Sequence, residues 1–244
     1  MLQKSSDVFI SRQIRLLGIG NLEGEPEVAA SHSDLMDSIY RYQRHFYDAT
    51  RCFFLAGRDA LLRRMELNSG DFVLEVGCGT ARNLIRLARR NPAVQLFGLD
   101  ISAEMLATAR ESVAAEGLDD RISLRKGPAE ELDSGQVFGS NPSFDVVFFA
   151  YALTMIPGCV EALDASIRSL SPGGRLYIVD FYDHRGWSPW VRTALQNYLR
   201  LFHVEHKPQV LGRLREVCSS QGGSLWVEPV ARRHAFIAGF VKYS

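Results

Sequence analysis

Apolar residues follow two alternating rhythms along most of the chain, short unbroken runs and stretches recurring every three or four positions. That alternation predicts strands separated by helices. Phe72-Val73-Leu74-Glu75-Val76 is a β-branched, mostly apolar run of the kind buried in a parallel sheet, and it stops at Gly77. Leu84, Ile85, Leu87 and Ala88 then recur with helical spacing until Arg89, Arg90 and the Asn91-Pro92 stop. A second strand, Gln95 to Leu99, ends at Asp100, and Ser102 caps a helix carrying Met105, Leu106, Ala109, Val113 and Ala114 that Gly117 closes. Ile122 to Lys126 reads as a third strand, Gly127 to Leu132 as a loop, and Phe144 to Phe149 as a fourth strand. A helix over Val160 to Leu170, a turn at Ser171-Pro172-Gly173-Gly174 and a fifth strand from Arg175 to Asp180 follow. Two helices, Trp190 to Phe202 and Gln209 to Ser219, precede a hairpin of Ser224 to Pro229 and Ala235 to Val241. The order is that of a doubly wound α/β fold.

Upstream, Ser33 to Leu67 reads as one long or broken helical stretch. Ser33 is its cap, Leu35, Met36, Ile39, Tyr42, Phe46, Ala49 and Phe53 are its apolar recurrence, and Gly57 is its break. This divides the chain into an extension over residues 1–33, a mobile segment or a lid, and a domain over 34–244 with a helical cap at 34–67. The 244 residues suffice for one large α/β domain. Lys plus Arg number 28 and Asp plus Glu 28, so no global field draws the chain to nucleic acid, and no basic-aromatic platform for RNA is present. The N-terminal twenty residues lack the sustained apolar core of a signal peptide, and Val146 to Ile156 is too short to span a bilayer. The expectation is a cytosolic protein without a transmembrane helix. Cys52, Cys78, Cys159 and Cys218 are scattered, with no C-x-x-C pair and no histidines at zinc spacing, which leaves reduced thiols and no metal.

Chemistry enters at the first strand's end. Gly77-Cys78-Gly79-Thr80 places two residues without Cβ where the backbone turns sharply and a ligand can lie against it. Asp100, about 20 residues on at the neighbouring strand's tip, is placed to accept both ribose hydroxyls of a nucleoside cofactor. The dinucleotide fingerprint needs a third glycine where Arg82 stands, which weakens a pyrophosphate reading. A carboxylate at Glu75 aimed at the pocket would repel a diphosphate but suits a ligand carrying ammonium and sulfonium charges, and S-adenosylmethionine has both. The pattern E-x-G-x-G-T followed by a strand ending in Asp resembles motif I and the acidic loop of class I methyltransferases, with Ala81 standing where that family usually has a third motif glycine.

The resemblance implies a Rossmann-like, seven-stranded, mostly parallel sheet closed by an antiparallel pair, with S-adenosylmethionine as cofactor. It implies cofactor contacts at Glu75, Gly77, Gly79, Thr80, Asp100, Ile101 and Met105, at Ala129 and Glu130 in the loop over the adenine edge, and at Ala150 and Tyr151 beneath the methionyl end.

An N-methyltransferase needs chiefly to align an unprotonated amine with the S–CH3 bond and exclude water, in a pocket whose aromatic faces tolerate positive charge. Phe181, Tyr182, His184, Trp187, Trp190, Tyr198, Phe202, His203 and His206 crowd the region after the fifth strand. His184, at the carboxyl edge where α/β ligands bind, is the candidate proton acceptor, with an ordinary loop histidine as the alternative. Tyr40 and Tyr47 are seven apart on one helix face, and Arg51 and Arg58 could bind a carboxylate bidentately.

A closer resemblance rests on MDSIYRYQRHFYDATRCFFLAGRDALL, VLEVGCGTARNL, YALTMIP and FHVEHKP, between about Met36 and Pro208. These stretches look like the betaine-lipid N-methyltransferases, which trimethylate the homoserine amine of a diacylglyceryl headgroup. The Y-D-x-T-R…G-R-D block is more specific than the glycine turn, and it implies that Tyr40, Tyr47, Arg51 and Arg58 lie beside the cofactor or the substrate amino acid. The function expected is S-adenosylmethionine-dependent, iterative N-methylation of a primary amine next to a carboxylate, on a lipid headgroup or a soluble metabolite, with peripheral membrane contact open. C- or O-methylation of a quinone or other small molecule, and cofactor binding without turnover, are the alternatives.

Overall fold

The computed structural model describes residues 55–139, 143–200 and 206–243. The extension at 1–33, the cap up to residue 54, Tyr40, Tyr47, Arg51, Cys52 and His203 lie outside the described residues.

Helix α1 (Arg58–Arg64) starts at Gly57, whose φ of 93° explains the glycine there. It leads to β1 (Phe72–Val76), α2 (Arg82–Arg90), β2 (Gln95–Asp100), α3 (Ala103–Ala115) and β3 (Ile122–Lys126). A 3-10 turn, Ala129–Glu131, and a short α4 (Ser134–Phe138) precede β4 (Phe144–Ala150) and α5 (Cys159–Arg168). The chain continues through β5 (Leu170–Phe181), α6 (Pro189–Arg200), α7 (Pro208–Gln221), β6 (Gly223–Val230) and β7 (Ala235–Lys242). No described helix is long and apolar enough to cross a membrane.

The seven described strands form one sheet in the order β3-β2-β1-β4-β5-β7-β6. The first five are parallel, and β7 runs antiparallel to both β5 and β6. Strand parity sends Val73, Val146 and Phe148 to a core layer with Leu61 of α1, Leu84 and Leu87 of α2 and Leu106 of α3. Leu74, Val76, Val147 and Phe149 go to the other layer, with Leu163 of α5 and Leu214 of α7. Covering both faces is why β1 and β4 read as almost continuous apolar runs.

Two boundaries differ from the sequence reading. The predicted helix to Leu170 stops at Arg168, because Leu170 already pairs with Phe144 while Arg175 pairs with Val146. Ser171 to Gly174 are therefore looped out as a bulge within β5, with Gly173 at φ 75°. The five residues of α4 were read as no element, being too short to show a helical period.

Strand order reverses between β1 and β4, so the crevice for a ligand opens at the carboxyl ends of those strands.

Candidate functional site

The loop after β1 is fixed from both sides. The N–H groups of Gly77 and Cys78 donate to the Leu99 carbonyl at 2.8 and 3.1 Å, and the Gly79 N–H donates to Asp100 Oδ2 at 2.7 Å. Gly77 lies at φ 74°, and a Cβ built there would sit 2.5 Å from the Ala152 methyl group. Glycine is thus required by backbone conformation and by space. Ala81, the N-cap of α2, is fully buried at φ 60° and ψ 17°. The glycine usual at that position serves the left-handed backbone, and alanine adopts the same conformation at a strain of about 1 kcal/mol.

Asp100, at the tip of β2, closes one side of the crevice. Its Oδ1 accepts from Ser102 N at 2.9 Å, and Ser102 in turn caps α3 by accepting from Met105 N at 3.2 Å. A carboxylate has about four acceptor positions, so one group can serve the loop and a ribose together. The Gly127 N–H donates to the Asp100 carbonyl at 3.0 Å, which brings the β3 loop with Ala129 alongside; Ile101 and Met105, both half-buried, flank the same edge. Glu130 directs one oxygen to Gly158 N at 3.3 Å and so braces the β4–α5 connection.

Glu75 is 1% exposed, and its carboxylate accepts from Asn83 Nδ2, in the first turn of α2, at 2.7 Å. Burial, with the Asp100 and Glu75 charges behind it, pushes the Cys78 thiol well up, which keeps it protonated and unreactive.

The other side of the crevice is built at the ends of β4 and β5. Tyr151, one residue past Ala150, is buried at φ 62°, donates its N–H to Val179 O at 2.8 Å and its hydroxyl to the Ala56 carbonyl, and packs edge-on against Phe181 with centroids 4.8 Å apart. Burial pushes its phenol up, Asp180 adds to that and Arg58 opposes it, so Tyr151 is a hydrogen-bond donor and no base. Arg58 is buried, and Asp59 beside it accepts from Arg86 at 2.6 Å and from Arg82 at 3.4 Å. The Gly-Arg-Asp block is thereby fastened between α2 and the Tyr151 turn.

His184 is 3% exposed at φ 55°, its N–H bonded to the Arg233 carbonyl at 2.9 Å and its ring against His234 at 5.1 Å between centroids. Burial and the two neighbouring histidines lower it to about 4, leaving it neutral at physiological pH.

Residues unnoticed in the sequence complete the site. Asn83 holds Glu75, His234 encloses His184, and Asp180 with Thr154 fastens the turn after β4. Asp180 could have been noticed as a lone carboxylate closing an apolar strand; the others left no signal.

A methyltransferase domain family model matches residues 67–210, more than half of the chain. The demethylmenaquinone methyltransferase of Halalkalibacterium halodurans is 31% identical over 182 residues, covering 74% of this chain and 65% of that protein. The enzyme of the same name from Lactobacillus johnsonii is 27% identical over 146 residues, covering 59% of this chain and 57% of its own length. The chain thus spans less than two thirds of these relatives. Among solved structures, phospholethanolamine N-methyltransferase 2 of Haemonchus contortus, in complex with phosphomonomethylethanolamine and S-adenosylhomocysteine, superposes with a TM-score of 0.69 at 20% identity, over 88% of this chain and 61% of that one. With the glycine loop, the strand-tip carboxylate and the seven-stranded sheet in place, the chain belongs to the methyltransferase domain family, the class I S-adenosylmethionine-dependent methyltransferases.

Proposed function

We propose that the chain transfers methyl groups from S-adenosylmethionine to the nitrogen of a primary amine beside a carboxylate, the chemistry of a homoserine-type betaine-lipid headgroup or of a small amino-acid-derived metabolite. The observation that carries this is the Gly57-Arg58-Asp59 block, which sets a buried guanidinium next to the Tyr151 turn at the carboxyl edge. A buried arginine is suited to bidentate capture of a carboxylate, whether the cofactor's or the acceptor's.

When bound, the cofactor supplies an already activated methyl group, so the protein's work is alignment and exclusion of water. Asp100 would hold the ribose hydroxyls, the Gly77–Thr80 loop the nucleoside's methionyl side, and the Ala129 backbone the adenine edge. An amine of pKa about 10 must first lose a proton. His184, lowered to about 4, is too weak a base to keep that proton, which favours its release to water.

Carbon methylation of a quinol is the second reading, favoured by the similarity to demethylmenaquinone methyltransferases. Incubation with methyl-labelled S-adenosylmethionine and, separately, diacylglyceryl homoserine, soluble amino acids and a demethylmenaquinol tests both. Product mass and the position of the label on nitrogen support the first reading. Label on the quinol ring alone replaces it with the second, and cofactor binding without label in any acceptor leaves a non-catalytic binding protein.

A further inference from the structure

The β4–α5 turn and the end of β5 share a buried carboxylate that the chemistry above does not use. Asp180 is 2% exposed. Its Oδ2 accepts from Thr154 N at 3.1 Å, and its Oδ1 from Thr154 Oγ1 at 2.9 Å and Phe181 N at 2.8 Å, with the Leu153 N–H also donating to it. Every one of these groups is a donor, so the site is built for an ionised carboxylate. The adjoining cavity, lined by Leu153, Thr154, Phe181, Lys207, Val210 and Phe236, is about 10 Å³. That is at the lower limit for a single water, so protein donors must serve the carboxylate.

What the clamp holds is the Tyr151–Thr154 turn. Ala152 in its middle is the residue against which Gly77 packs, at a spacing that leaves no room for a Cβ. The physical chain from Asp180 therefore runs through Leu153 and Thr154 to Ala152, and from there to the glycine loop.

We propose that Asp180 is a positioning residue for the cofactor site, its ionised form fixing the turn after β4 in the shape that seats the Gly77–Thr80 loop. The proposal rests on cofactor binding at that loop and is independent of which acceptor is methylated. Burial raises Asp180 to about 6, against the downward pull of its Phe181, Thr154 and Leu153 donors. The charged and titratable groups facing it are Tyr151 from the turn, with Arg58 beyond it, Lys207 at the start of α7, whose ammonium donates to the Ile156 carbonyl, and His206, whose ring meets the Phe181 carbonyl at 3.3 Å.

Two measurements test this. In the cofactor-free protein at pH 7, amide exchange at Leu153 and Thr154 should be at least about tenfold faster in Asp180→Asn than in wild type; equal protection in the two proteins overturns the proposal. Calorimetric titration with S-adenosylhomocysteine at pH 7 should show Asp180→Asn binding about tenfold more weakly than wild type. Thr154→Val should weaken binding, and Thr154→Ser should restore it. Wild-type affinity in Asp180→Asn refutes the role. If Asp180→Asn does not fold, the Thr154 pair decides, with equal affinities in Val and Ser variants counting against the clamp. An absence of any S-adenosylhomocysteine binding would refute the cofactor assignment instead, and the amide exchange would still decide the clamp.

Discussion

Replacing Asp100 by Asn keeps the side chain's shape and removes its charge, which isolates the electrostatic part of cofactor binding. In the structure this carboxylate accepts from Gly79 N at 2.7 Å and from Ser102 N at 2.9 Å. The asparagine oxygen can keep one of those bonds, while its amide group turns a donor toward the other. Hydrogen bonds to a charged group contribute about 1.5–3 kcal/mol each, so losing the charge toward two ribose hydroxyls amounts to about 3–6 kcal/mol at most. Part of that falls on the loop, which remains anchored by Gly77 and Cys78 on the Leu99 carbonyl. A loss of about 2.7 kcal/mol in binding, or about 100-fold in Kd for S-adenosylhomocysteine, is the expected result. The half-buried loop bonds themselves account for about 1 kcal/mol of folding stability. The assay is calorimetric titration of both proteins, with urea unfolding to confirm that the variant is folded. A folded Asp100→Asn protein whose Kd stays within threefold of wild type would refute the ribose assignment.

Three further outcomes follow from the same geometry. Gly77→Ala meets the Ala152 methyl group and must adopt φ 74°, so urea unfolding should show a loss of about 2–4 kcal/mol, and cofactor-induced thermal stabilisation should vanish; an unchanged midpoint would contradict the close approach. Ala81→Gly trades about 1 kcal/mol of left-handed strain for a lost buried methyl and a more flexible unfolded chain, so its unfolding free energy should lie within about 1 kcal/mol of wild type. For His184, whose value falls from 6.5 to about 4 on folding, the unfolded chain binds the extra proton between those values, so its contribution to stability is present above pH 6.5 and is lost as the pH falls toward 4. The urea-midpoint gap between wild type and His184→Leu should therefore be wider at pH 7.5 than at pH 4.5, and a gap independent of pH would show that the ring is not buried neutral. Asp180, raised on folding, contributes in the opposite sense between 3.8 and about 6, which is why the comparison is made against the variant and not on wild type alone.

The sheet was legible because its strands are buried on both faces and end at residues with a mechanism. Val76 gives way to Gly77, Leu99 to Asp100, and Ala235 starts after a turn in which Ala231, Arg232 and Arg233 all have positive φ. Leu170 misled because its apolar side chain continues the period of α5 while its backbone already belongs to β5, a choice that pairing with Phe144 decides and local sequence does not. Within the site, Gly77, Gly79 and Asp100 could be found from backbone conformation and placement at strand tips. The bond from Asn83 to Glu75 joins residues eight apart, one on a helix and one on a strand, and no periodicity reports it. Thr154 meets Asp180 across 26 residues and His184 meets His234 across the β6–β7 turn, so both pairs exist only once the sheet is assembled.

The central claim is that the crevice at the β1–β4 switch point takes a ribose-bearing, positively charged methyl donor in preference to a phosphate-bearing nucleotide. Titrating the intact chain with S-adenosylmethionine, NAD and ATP in turn tests it most directly. The account predicts one saturable site for S-adenosylmethionine and no measurable heat of binding for the other two, whereas NAD or ATP saturating the site while S-adenosylmethionine does not bind would contradict it.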